Sequence, residues 1–186
     1  MARQPGLRKI LPDEAMIIPK HRVVRNKLDY AKGKRPPVDC ILCAVARNDP
    51  KVDNLVVFQR GGYLITLNLY PYNPGHLMIA PEKHYEDVRE FSPGEVMEMH
   101  QLQVLTLDVL EKVYQPGGFN VGYNLGKWSG ASISHIHLQI VPRYPSEIGF
   151  FDLFSDSRVI VEEPAVTKER LSRAFREAAT GFFQEP

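Results

Sequence analysis

The stretch Ser134-His135-Ile136-His137-Leu138-Gln139-Ile140-Val141-Pro142-Arg143 decides the reading of this 186-residue chain. Polar and apolar residues alternate with a period of two, the signature of a strand whose two faces differ. His135, His137 and Gln139 are expected on one face, with Ile136, Leu138 and Ile140 on the other. A lone histidine in such a place usually only satisfies a hydrogen bond. Two in register behind a small-residue loop, Gly126 to Gly130, point toward chemistry.

The neighbouring segments supply partners for that strand. Asn54 to Gln59 is β-branched and aromatic, Gly61-Gly62 is a tight turn, and Tyr63 to Leu69 is a second strand, so the pair reads as a hairpin. Tyr70-Pro71-Tyr72-Asn73-Pro74-Gly75 cannot continue a central strand. His76 to Ala80 is a third strand and Phe119 to Asn124 a fourth. Ser92-Pro93-Gly94-Glu95 opens one long helix, with Ser92 as N-cap, Pro93 at the first helical position and Glu95 placed to close a capping box. Phe91 and Val96 are expected to staple its start. Val96, Met99, Leu102, Leu105, Val109, Leu110 and Val113 form the stripe predicted to be buried. A last helix is expected over Thr167 to Ala179, with Leu171, Phe175 and Ala178 on one face. The class is α+β, an antiparallel sheet of about five strands with helices on one side.

Composition sets the frame for these elements. Hydrophobic residues make up 44% and charged residues 24%, as in an ordinary globular chain. No apolar run approaches the ~20 residues of a membrane span. Arg3, Arg8 and Lys9 are not followed by an apolar segment of the secretory type, and a cytoplasmic protein is expected. The net charge of +1 hides an uneven distribution, because residues 1–36 alone carry +7. The expected organisation is a basic arm over 1–36, a domain over 37–145, and a C-terminal extension over 146–186 whose helix packs on that domain. The arm offers a surface for phosphates or an acidic partner, or else is simply a solvated terminus.

Cys40 and Cys43, the only cysteines, form Cys-Ile-Leu-Cys. In a chain without secretory features, C-x-x-C reads as metal or redox chemistry rather than a structural disulfide. A closed tetrahedral zinc site needs two further ligands, and His84 and His135 complete a two-Cys, two-His set. By spacing alone, His21, His76 and His100 compete for those places. A pair of reduced cysteines packed as small hydrophobes is the plainer alternative. With His135 given to zinc, His137 is left as a nucleophile able to attack phosphorus, and Gln139 beside it as a neutral donor. Ser132 and glycine-loop N–H groups supply donors for phosphoryl oxygens.

Three motifs then carry a family resemblance: Asn68-x-x-Pro71-x-x-Pro74-Gly75-His76, Pro81-x-x-His84, and Asn124-x-Gly126-x-x-x-Gly130-x-Ser132-x-x-His135-x-His137-x-Gln139-x-x-Pro142-Arg143. In this order they resemble the histidine triad superfamily of nucleotide-binding proteins, over about Cys40 to Arg143. The resemblance implies an α+β fold, a homodimer and a bound nucleoside phosphate. It assigns the ribose hydroxyls to Asn68, and the α-phosphate to Asn124 and Ser132, with Gly130 and Gln139 in the same nucleotide site. His137 becomes the nucleophile, and the zinc set Cys40, Cys43, His84 and His135 matches metal-carrying members.

Two positions depart from the hydrolase branches, which usually have His at the place of Gln139 and Gln at the place of Ala131. His-x-His-x-Gln looks like the transferase branches, galactose-1-phosphate uridylyltransferase and the diadenosine tetraphosphate phosphorylases. Glutamine is no general acid near neutral pH, so the leaving group has to be good already, as a nucleoside polyphosphate is. The favoured expectation is a nucleotidyltransferase that phosphorolyses dinucleoside polyphosphates. A hydrolase releasing the nucleoside monophosphate, and a nucleotide- or nucleic-acid-binding module using the basic arm, are the competing expectations.

Overall fold

The computed structural model describes residues 36–126, 128–145 and 163–183. Most of the basic arm and the aromatic segment Phe150 to Phe154 lie outside them. The chain begins with a short helix, α1 (Ile41–Ala46), directly after Cys40. Three strands follow, β1 (Val56–Arg60), β2 (Tyr63–Leu67) and β3 (Leu77–Pro81), then a 3₁₀ turn over Val88–Glu90. Helix α2 (Pro93–Tyr114) leads to β4 (Gly118–Tyr123), β5 (Leu138–Arg143) and the last helix, α3 (Pro164–Phe182).

The five strands form one antiparallel sheet in the order β1-β2-β3-β5-β4. The β1–β2 hairpin closes on Gly61 and Gly62, whose φ angles of 58° and 77° suit a turn that few side chains tolerate. Helix α2 starts where its capping box requires. The Ser92 hydroxyl accepts from Glu95 N–H, and the Glu95 carboxylate accepts from Ser92 N–H at 2.7 Å. Its end is a left-handed Gln115, just before Pro116.

Successive residues of a strand face opposite sides, so the sheet carries two different surfaces. On one, Tyr63, Ile65, Leu67, Leu77, Ile79, Leu138 and Ile140 meet Met99, Leu102, Leu105, Val109 and Leu110 of α2 and Leu171 and Phe175 of α3. Phe58 stacks on Phe175 with ring centroids 5.5 Å apart. On the other surface, Leu64 and Ala80 pack with Leu42 and Val45 of α1. Helices therefore cover both faces, which corrects the expectation of helices on one side only. The six residues of α1 are too few to show a helical period in sequence.

Two smaller expectations also change. Val96 is exposed, so it belongs neither to the buried stripe of α2 nor to a staple. Phe91 turns instead to the rings of Tyr63 and Tyr85, edge-on at 6.5 and 5.4 Å. The regular part of β5 begins only at Leu138, so His135 and His137 precede the strand proper. The alternation still sorts them. Leu138 faces the α2 side, while Gln139 pairs with Met78 on the α1 side.

Candidate functional site

Two clusters of polar groups meet on the α1 side of the sheet. The first joins Cys40, just before α1, and Cys43, within it, to His84 beyond β3 and His135 before β5. Each offers one donor atom, all four atoms lie within 4.8 Å of one another, and the group is fit to hold a metal ion. Nδ1 of His135 is 3.4 Å from both sulfur atoms, and Nδ1 of His84 is 3.3 Å from Cys43 Sγ. Metal–sulfur and metal–nitrogen bonds of about 2.3 and 2.0–2.1 Å at the tetrahedral angle give N···S edges of about 3.5 Å, so the spacing fits zinc geometry.

The surroundings orient these ligands. His135 is fully buried, and its Nε2–H donates to the carbonyl oxygen of Pro81 at 2.9 Å, which leaves the Nδ1 lone pair facing the sulfurs. Burial lowers the His135 pKa to about 4, with the neighbouring His84 and His137 adding to the effect and the Pro81 bond opposing it. The ring is therefore in the neutral form that ligation needs. Burial, with Cys40 beside it, pushes the Cys43 thiol up to about 11. A cation in the cluster supplies the charge that favours the thiolate.

Among the other histidines considered by spacing, His76 and His100 are not part of this group, and His21 lies outside the described residues. His76 is buried elsewhere, accepts Tyr72 N–H at Nδ1 (3.1 Å) and stacks on the Tyr72 ring. It braces the Tyr70–Gly75 turn beside Asn68. His100 is exposed on α2.

The second cluster lines a cavity of about 340 Å³, within the range of small-molecule sites. Asn68, Asn124, Gly130, Ser132, His137 and Gln139 all contribute to its wall. These come from the end of β2, the end of β4, the glycine loop and the approach to β5. Sheet order explains the meeting, because β5 lies between β3 and β4. His137 is buried, and its Nδ1–H donates to the carbonyl oxygen of His135 at 2.9 Å. That bond assigns the proton to Nδ1 and leaves Nε2 with its lone pair. Burial lowers the pKa of His137 from its ordinary value, against the opposing effect of this bond. A neutral imidazole with a free lone pair can serve as a nucleophile.

The apolar part of the wall was not foreseen from sequence. Ile41, Leu42 and Val45 of α1, with Val52 and Leu55, line the same cavity. The only sequence signal for them was the run of apolar residues around the cysteine motif. Also unforeseen was the anchoring of the histidine segment from the side of α2. Ile136 N–H donates to the Tyr85 carbonyl at 2.7 Å, and Tyr85 O–H donates to Glu95 at 2.7 Å. Glu95 is held down to about 2 by Ser92 N–H and then by Tyr85 and the Ser92 hydroxyl.

One antiparallel sheet thus carries both a two-Cys, two-His cluster and, in a cavity wall, a buried histidine with a free ring nitrogen. The family pattern described as the HIT domain matches residues 49–146, and the chain belongs to this histidine triad family. It is similar to the AP-4-A phosphorylase of Mycobacterium tuberculosis, 37% identical over 109 residues, 58% of this chain and 56% of that one. The chain thus spans about half the length of that relative. It also matches the asymmetrical bis(5'-nucleosyl)-tetraphosphatase of Schizosaccharomyces pombe, at 28% identity over 47% of this chain and 48% of that one. Among solved structures, a zinc-bound histidine triad family protein from Mycobacterium smegmatis shares the fold, with a TM-score of 0.63 and 22% identity over 76% of this chain and 96% of that one.

Proposed function

We propose that this protein is a nucleotidyltransferase that phosphorolyses dinucleoside polyphosphates, such as diadenosine tetraphosphate, through a nucleotidyl-histidine intermediate. The observation that carries the reading is the neutral His137, its Nδ1–H committed to the His135 carbonyl, in a cavity wall beside Gln139. Nε2 of His137 attacks the α-phosphorus and forms the N–P bond, while the bond from that phosphorus to the bridging oxygen breaks. The electron pair leaves with the nucleoside polyphosphate. An oxygen of inorganic phosphate then attacks the same phosphorus, the N–P bond breaks, and the imidazole is regenerated. Asn68 holds the ribose hydroxyls, and Asn124, Gly130, Ser132 and Gln139 hold the phosphoryl oxygens in this reading.

Gln139 makes the difference between acceptors. Its amide donates hydrogen bonds but delivers no proton, so a leaving group of low basicity is required. The similarity to an AP-4-A phosphorylase supports phosphate as acceptor. The similarity to a bis(5'-nucleosyl)-tetraphosphatase supports the second reading, in which water takes its place. Turnover of diadenosine tetraphosphate with and without phosphate separates them. ADP and ATP formed only when phosphate is present is the expected result. AMP and ATP formed at the same rate without phosphate overturns the phosphorylase reading.

Zinc bound by Cys40, Cys43, His84 and His135 belongs to this proposal as a structural ion. Bound there, it would tie α1 to the segment after β3 and to His135 through these four residues. A homodimer is part of it too. Strand β4 is an edge of the sheet, and Val121 on it is 40% exposed, an apolar surface available to a second copy. No described helix is long and apolar enough to cross a membrane, and the cytoplasm is the proposed location.

A further inference from the structure

The peptide group between His135 and Ile136 is bonded at both of its ends. Its carbonyl oxygen accepts His137 Nδ1–H at 2.9 Å, and its N–H donates to the Tyr85 carbonyl at 2.7 Å. The peptide group between Tyr85 and Glu86 repeats the pattern, because its own N–H donates to Oε1 of Glu90 at 2.8 Å. A trans peptide is planar, with N–H and C=O pointing in opposite directions. Holding the N–H of such a group therefore fixes the direction of its carbonyl. One line of hydrogen bonds runs from the Glu90 carboxylate through two peptide groups to the buried imidazole of His137.

Both the start and the middle of this line are secured. Glu90 ends the 3₁₀ turn Val88–Glu90, where the same Oε1 accepts Asp87 N–H at 2.8 Å and closes a capping box with the Asp87 side chain. Tyr85 is buried, and its hydroxyl donates to Glu95 at 2.7 Å and accepts from Lys83 Nζ at 2.6 Å. Glu90 itself is exposed and is not among the residues of the cavity wall. Hydrogen bonds in a chain polarise one another. An anionic acceptor on Glu86 N–H makes the Tyr85 carbonyl a better acceptor, and the same step at Ile136 strengthens the His135 carbonyl as the partner of His137.

We propose that Glu90 is a positioning residue for His137, acting through the Tyr85–Glu86 and His135–Ile136 peptide groups. It holds the imidazole in the Nδ1–H tautomer and keeps the lone pair on Nε2, as a carboxylate bonded directly to a histidine does. The effect on turnover rests on the transfer reading given above.

Glu90→Ala removes the carboxylate and is expected to lower kcat for phosphorolysis of diadenosine tetraphosphate about tenfold, with KM unchanged, at the lower end of what an orienting partner is worth. Glu90→Gln keeps an oxygen able to accept both N–H groups and is expected to recover most of the loss. Asp87→Ala opens the same capping box from its other side without touching the line, and is expected to keep the parent kcat. NMR of the 15N-labelled proteins reads the bond itself. The His137 Nδ1–H resonance, assigned by its loss in His137→Asn, is expected to move upfield in Glu90→Ala and to stay in place in Asp87→Ala. An unshifted resonance in Glu90→Ala, or an equal loss of kcat in Asp87→Ala, overturns the role of Glu90. If the parent turns over no dinucleoside polyphosphate, the transfer reading falls, while the resonance still decides whether Glu90 orients His137.

Discussion

The carbonyl oxygen of His135 lies 2.9 Å from Nδ1 of His137, while the His135 ring faces the two cysteine sulfurs at 3.4 Å. One residue therefore belongs by its side chain to the cluster fit for a metal ion and orients the cavity histidine by its backbone. A shift of the His135 ring moves the acceptor that fixes the His137 tautomer. Metal removal is expected to act on chemistry through this bond. Elemental analysis is expected to find about one metal ion per chain, and replacing Cys40 and Cys43 together by serine should abolish it. The double replacement should also lower kcat about 10- to 100-fold, the usual scale for groups that orient a site.

The same pair of replacements should lower thermal stability. An ion present at about 1,000 times its Kd stabilises the folded chain by about 4 kcal/mol, which is roughly 8–16 °C in Tm at this chain length. Differential scanning calorimetry with and without chelator measures it. An unchanged Tm in both the chelated and the doubly substituted protein rules out a structural role for the ion.

His137→Ala removes the nucleophile and leaves the rest of the cavity wall in place. We expect kcat to fall by about 10³-fold or more, as when other covalent nucleophiles are deleted. AMP affinity, read by isothermal calorimetry, should change little. Retained phosphorolysis would discard the covalent mechanism.

These tests address residues that the chain discloses unequally. The two-residue period puts His135 and His137 on one face, but spacing alone does not choose His84 and His135 over the competing histidines, and it is the resemblance to the family's motifs that singles out Cys40, Cys43, His84 and His135 from His137. The five strands and α2 were legible from turn residues, alternation and the Ser92 cap. What stayed hidden depends on contacts distant in sequence. Helix α1 has six residues and takes its place from packing of Leu42 and Val45 against Leu64 and Ala80. Val96 obeys the helical period but is exposed, so periodicity alone overstates the buried stripe. His76 competes as a ligand by residue type, and its bond to Tyr72 N–H and its stacking on the Tyr72 ring show its role in the turn.

The acid limb of the pH profile follows from the burial of His137. An exposed imidazole loses its lone pair below its ordinary pKa of about 6.5, but burial lowers the value here. The kcat/KM for diadenosine tetraphosphate is thus expected to fall in acid with a midpoint below 6.5. The folded state binds fewer protons than the unfolded one between the two pKa values. Stability should therefore be lost as pH falls from about 6.5 toward the lowered folded value. Comparing urea midpoints of the parent and His137→Asn across this range isolates the contribution, and an activity midpoint at or above 6.5 contradicts it.

Helix α3 contributes fully buried Leu171 and Phe175 to the core shared with α2 and the sheet. Phe175→Ala leaves a cavity opposite Phe58 and should cost about 3–5 kcal/mol. Urea unfolding gives the value directly. A loss below about 1 kcal/mol means that α3 is not an integral part of the folded unit.

The most informative single replacement is Gln139→His. Gln139 sits on β5, opposite Met78 of β3, and shares the cavity wall with His137. An imidazole there can give up a proton near neutral pH, which an amide cannot. The variant should accept substrates whose leaving groups are more basic, such as nucleoside phosphoramidates, with gains of about 10²-fold from general acid catalysis. Phosphate dependence with diadenosine tetraphosphate should weaken at the same time, because a protonatable partner can also activate water. Both readouts come from one product assay run with and without phosphate. If phosphoramidate turnover does not rise while the variant remains folded and binds AMP, the identity of this residue does not govern the choice of leaving group.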